Sequence, residues 1–161
     1  MQLSEVSNIL WRERQLLELL LFKLEEEQLI LASGRTRWLT HATREVETVL
    51  AEIKRVELDR AVELESVAQQ LGFRKTPTLK QLSELTKGPW GRIFSEHRNA
   101  LLALAQEIDG LAQSNREMLA RGQKAAREAL QALGELAPET YSASGLNTER
   151  QGSLGLINEV I

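Results

Sequence analysis

No cysteine occurs anywhere in the chain, which excludes a disulfide framework, a thiolate metal site and a cysteine nucleophile. Histidine is nearly as scarce. His41 and His97 are the only two, and neither stands three residues after a glutamate, the Glu-x-x-His spacing of di-iron helical bundles. Aromatic residues make up 4% of the sequence; leucine and alanine carry the apolar load instead, which favours helix over sheet. There is no Gly-rich phosphate cradle and no serine beside an oxyanion loop. The apolar run from Leu16 to Leu24 is broken by Glu18 and Lys23, is too short to span a bilayer and lacks a signal-peptide cleavage pattern. A net charge of −3 argues against general affinity for nucleic acid. These absences point to a cytoplasmic protein without metal, cofactor or catalytic residues, and without direct membrane insertion.

What remains is helical periodicity. At 161 residues with 42% hydrophobic content, the chain has enough apolar surface for one sizeable core. A first helix over residues 3–32 places Leu3, Val6, Leu10, Leu17, Leu20 and Leu24 on one side, and Ser33-Gly34 supplies its stop. A second, over 36–71, keeps heptad spacing through Leu39, Ala42, Val46, Val49, Ile53 and Val56. Its seam then shifts phase to Ala61, Leu64, Ala68 and Leu71. Thr78 and Gln81 form a capping box for a short helix over 78–87 with Leu79, Leu82 and Leu85 on one face. The last helix opens at Pro89 and runs to 133 or 136. At about 66 Å it is longer than its neighbours, so it should project beyond the bundle unless the first two helices are offset against it. The expected fold is all-α: an elongated, antiparallel, coiled-coil-like bundle of three long helices plus one short helix over residues 1–137. A flexible, disordered tail follows over 138–161. Trp11 and Trp38 are expected to cap the two ends of the hairpin core, and Trp90 to staple the short helix to it.

The last helix carries a seam of Phe94, His97, Leu101, Leu104, Ile108, Leu111, Asn115, Met118, Gly122, Ala125, Ala129 and Ala132. Large side chains in its first half fill a core; small ones in its second half leave a shallow groove that admits a partner helix. Asn115 reads either as a register-setting polar residue inside the bundle or as part of that groove. Gly122 costs about 1 kcal/mol in mid-helix, which argues for a close backbone approach by another helix, from this chain or a partner. Residues 73–98 hold six cations against two carboxylates, a net of +4, and read as a solvated face in preference to a helix-turn-helix. Leu154, Ile157 and Ile161 fall at helical spacing, so the tail's end is expected to cover the groove while it is empty.

The Asn115-x-x-Met118-Leu119-x-x-Gly122 run, followed by Leu130-x-x-Leu133, Pro138, and Tyr141 four residues before Gly145, resembles the flagellar export chaperone family FlgN. Glu27 to Leu31 and Glu57 to Arg60 add to the likeness, while Ser142 stands where the family has glycine. The resemblance implies a cytoplasmic type III export chaperone whose partners are the hook–filament junction proteins FlgK and FlgL and the flagellar export gate. On the groove reading, client contact falls to Leu111, Asn115, Met118, Leu119, Gly122 and Ala126, while the resemblance implies gate docking at Tyr141 and Gly145. The alternative is a structural coiled-coil protein that self-associates through the same seams.

Overall fold

The first helix, α1 (Gln2–Ala32), buries a stripe whose members alternate four and three residues apart: Val6, Leu10, Glu13, Leu17, Leu20, Leu24 and Glu27. That is heptad spacing, so one seam of the helix faces its neighbours along nearly its whole length. Gly34, with φ of 68°, ends it by the left-handed turn that glycine adopts without a Cβ clash. These coordinates come from a computed structural model that describes residues 2–134.

A single 3-10 turn, Thr36–Trp38, leads into α2 (Leu39–Leu71). The 3-10 turn occupies the first residues of the expected second helix, with Trp38 as the cap residue. At the far end Gly72 and Phe73 donate back to Gln69 and Ala68, a Schellman stop. Lys23 to Glu45, Thr43 to Glu27 and Arg60 to Glu13 are hydrogen bonds across α1 and α2. Their descending register shows the two helices to be antiparallel.

Both bonds of the expected capping box are present, Thr78 Oγ1 accepting from Gln81 N–H at 3.2 Å and Gln81 Oε1 from Thr78 N–H at 3.0 Å. The helix they start, α3 (Leu79–Leu85), is shorter than expected. Leu79 and Leu82 join the common core, while Leu85 is exposed. Pro89 opens α4 (Pro89–Ala132), and α3 packs on its first turns. There the chain needs Gly91. A Cβ at this position would lie 2.8 Å from the Ser83 carbonyl oxygen and 3.1 Å from that of Thr86, so only glycine allows the two helices to meet so closely.

The central element is α1, which runs against both α2 and α4. Ser7 meets His97, and Gln28 meets Ser114, so α4 is parallel to α1. The described residues form an elongated all-α bundle and contain no strand. Several seam positions differ from the expected ones. In α4 the centre of the interface is Phe94, His97, Leu101, Ala105, Ile108, Ala112 and Asn115, heptad spacing broken once by an extra four-residue step around Leu101. Leu104 and Leu111 flank it, half-buried. In α2 the shifted seam is Arg60, Leu64, Val67 and Ala68; Ala61 and Leu71 are exposed. Trp11 and Trp38 cap nothing completely, being 51% and 48% exposed. Trp90 is half-buried, packed against the core and stacked on Phe94 with ring centroids 5.8 Å apart.

Candidate helix-binding surface

Two polar devices sit inside the bundle. Near its middle, Arg60 Nη1 donates to Glu13 Oε2 at 2.8 Å with both side chains withdrawn from water. Burial pushes the Glu13 carboxyl up to about 7, against the opposing pull of the Arg60 guanidinium. Glu57, one turn before Arg60, is also raised by burial, and neither of its carboxylate oxygens has a hydrogen-bond partner. An ion pair this deep stabilises little against an apolar alternative, yet it penalises any slip of α1 along α2, because a slip separates the charges. Neither Glu13 nor Arg60 stood out by periodicity as a core residue. The available signal was that Glu13 and Glu27 fall on the heptad of Val6 and Leu20, and that Arg60 sits where the α2 seam loses an apolar residue.

The second device is Asn115. Its amide donates to the Leu24 carbonyl at 2.9 Å and to Glu27 Oε1 at 3.2 Å. Of the two roles open to it from sequence, the structure places it within the bundle, where it ties the last buried turn of α1 to α4. Asn115 is also the last buried residue of α4.

Beyond it the helix continues without cover. Because α1 and α4 run parallel, the end of α1 at Ala32 lies level with about residue 120 of α4. From Ala120 to Gly134 every residue is exposed except Leu130, which is half-buried. This leaves residues 121–132 as a projecting arm, about 18 Å long at 1.5 Å per residue. Of the six positions expected to contact a client, Leu111 packs half-buried against the core and Asn115 is buried. Met118 and Leu119 are half-buried, and Gly122 and Ala126 are exposed. At 100° per residue all six fall within an arc of about 100°. That arc overlaps the face that α4 presents to α1 lower in the bundle. The core-facing side of α4 therefore runs off the end of the bundle and becomes surface. Among the described residues, nothing outside its own helix backbone comes within 4 Å of a Cβ built on Gly122, so no other helix of theirs uses the close approach it allows. Tyr141, Gly145 and the expected groove-covering end of the tail lie outside the described residues, as does Leu136.

Among the described residues, no group of three His, Asp or Glu side chains could hold a metal ion. None of their helices is long and apolar enough to cross a membrane.

No curated protein and no solved structure matches the chain. A family model does: the one described as FlgN protein covers residues 1–149. Matched over nearly all its length, the chain belongs to the FlgN family, and its general role is that of a chaperone in flagellar assembly.

Proposed function

We propose that the protein is a cytoplasmic type III export chaperone for hook–filament junction proteins of the FlgK and FlgL kind. In this reading it binds their amphipathic terminal segments, prevents premature assembly and delivers them to the flagellar export gate. The observation that carries the proposal is the face of α4 that is core-facing as far as Asn115 and uncovered afterwards. A disordered client segment with one apolar stripe could fold against it by the helix-in-groove mode, seated on Leu111, Met118 and Leu119 with its backbone close to Gly122 and Ala126. Asn115 would mark where the internal partner ends and the external one begins. Ordering the segment uses part of the contact energy, which keeps affinity moderate and release at the gate feasible. Tyr141 and Gly145 are the positions proposed to dock on the gate.

Met118→Glu places a charge in the middle of this face. It should abolish pull-down of the junction protein while leaving helicity intact, and unchanged pull-down would remove the face from consideration. Tyr141→Ala should spare client binding and reduce export; normal export would defeat the tail assignment. Self-association through the same face is the rival. Light scattering separates the two, since a chaperone is a small discrete species that gains mass when client is added.

A further inference from the structure

At the opposite end of the bundle, α1 and the start of α4 enclose a cleft of about 260 Å³. Ser7, Trp11 and Arg14 line it from α1; Trp90, Glu96 and His97 line it from α4. Its size admits one side chain and falls short of the roughly 300–1,000 Å³ of cofactor pockets. The aromatic groups are held in fixed relation. Trp11 meets the His97 ring edge-on at 5.1 Å, and the Arg14 guanidinium lies 4.2 Å over the Trp11 ring.

Two polar atoms here lack partners. His97 is fully buried and spends Nε2 on Ser7 Oγ at 3.1 Å, but its Nδ1 has none; Arg14 Nε, also buried, has none either. A buried guanidinium N–H left without an acceptor costs free energy that an incoming acceptor would recover. The chemistry asks for a hydrogen-bond acceptor, and a charged one is favoured because Arg14 is a cation. A cationic ligand is disfavoured, since the Trp11 face already holds a guanidinium. On the α3–α4 side the surroundings agree in sign. Residues 73–98, which include α3 and this end of α4, carry a net of +4, with Arg74, Lys75, Lys80, Lys87 and Arg92 exposed. Glu96 is the opposing charge on the rim; being exposed, it is well screened.

We propose that this cleft is a docking site for an acidic peptide segment of a partner protein. One carboxylate-bearing side chain of that segment enters between Trp11 and Trp90, its oxygens on Arg14, while flanking acidic residues lie over the basic α3–α4 end. The site is separate from the client face, about 40 Å away along α4, and does not depend on that reading.

The test uses the full chain carrying Trp38→Phe, so that emission comes from Trp11 and Trp90 alone, the sequence having three tryptophans. The probe is an end-capped octapeptide of alternating glutamate and leucine, and its glutamine counterpart is the control. The expected result is a saturable fluorescence change with the glutamate peptide that weakens with salt. Binding should fall about ten- to a hundred-fold in Arg14→Gln, the usual effect of losing a charged hydrogen bond. Arg14→Lys serves if the glutamine variant loses helicity, and should bind only severalfold more weakly than the parent. Met118→Glu should leave the titration unchanged, which separates failure here from failure of the client face. Equal responses to both peptides, or insensitivity to Arg14, would overturn the proposal. An equal response to inorganic phosphate or to phosphatidylglycerol vesicles would do so as well, reassigning the cleft to a free anion or a lipid surface.

Discussion

Arg60→Met would leave the Glu13 carboxyl buried between α1 and α2 without its cation, and the cost should depend on pH in a way that exposes its cause. Glu13 is already held near 7 by burial while Arg60 pulls it down, and Glu57 is raised under the same opposing influence. Removing Arg60 pushes both carboxyls higher. A carboxyl forced to stay neutral in the folded state costs about 1.4 kcal/mol for each pH unit above its ordinary value. For Glu13 at pH 8 that is roughly 4.8 kcal/mol in the variant, against roughly 3.4 kcal/mol in the parent, whose carboxyl can ionise above 7. With a smaller share from Glu57, the variant should lose about 1.5–3 kcal/mol at pH 8. At pH 5 Glu13 is protonated in both proteins, and the loss should fall below about 1 kcal/mol. The sign follows from the raised pKa: this carboxyl favours folding at low pH, and the benefit fades as pH climbs through the folded value. His97 acts in the opposite sense because burial lowers its pKa, but it cancels when variant and parent are compared at one pH. Thermal melts followed by circular dichroism should show a drop of roughly 4–9 °C at pH 8, at about 3 °C per kcal/mol. Glu13→Leu added to Arg60→Met should restore most of it, as apolar replacement of a whole buried pair often does. Equal losses at pH 5 and pH 8 would refute the reasoning.

Gly91→Ala and Gly122→Ala should move stability in opposite directions, although both are glycines inside α4. The first drives a methyl into fixed carbonyls of α3 and should cost about 1–3 kcal/mol, with faster proteolysis between residues 79 and 88. The second meets only open space and should gain up to about 1 kcal/mol in a melt; a loss there would mean the arm packs on something. Asn115→Ala removes two buried hydrogen bonds, for a loss of about 1–3 kcal/mol by urea denaturation; a neutral result would make Asn115 a passenger in the bundle. Amide exchange should be slow from Phe94 to Asn115 and fast from Gly122 onward, with the fast segment slowing when a client is bound. Uniform protection along α4 would contradict a projecting arm.

Sequence punctuation carried most of the architecture. Gly34, Gly72, the Thr78–Gln81 box and Pro89 are local signals whose effect does not depend on the rest of the fold, and each starts or ends a helix as expected. The seams were legible where large apolar residues dominate, as from Val6 to Leu24. They were misread where small or charged residues occupy the centre. Ala105 and Ala112 look less like core than Leu104 and Leu111, yet they are the buried pair. Arg60 reads as surface until its partner Glu13 is known, and that pairing spans 47 residues of sequence. Gly91 gave no sign of its role, because the carbonyls that demand it belong to a different helix. Of the candidate surface, the length mismatch that exposes the arm was visible in the spacing of the helix breakers. Which of its two readings Asn115 takes was not, since hydrogen bonds to α1 exist only once the register is set.

The arm poses a physical difficulty that its own composition answers. A helix of about 12 residues without tertiary contacts is marginal in water, because nucleation and backbone ordering are not repaid by burial. Residues 121–132 have just this situation, yet they are helical to Ala132. From Arg116 to Ala132 the sequence contains no β-branched, aromatic or proline residue. Apart from Gly122 it is built from Ala, Leu, Met, Gln, Glu, Lys and Arg, the strongest helix formers. Propagation from the packed turn at Asn115 supplies the nucleus, so each added residue needs only its own favourable propensity. Local preference thus substitutes for packing over the stretch where packing stops. A sequence selected only to end the bundle could have closed α4 near Ala120, beside Ala32. Continuing it for three further turns, with small residues on the face that would otherwise meet α1, leaves an already helical but unpaired face in water. Gly122 fits the same logic, as the one weak helix former in the run stands where a partner's backbone would come closest.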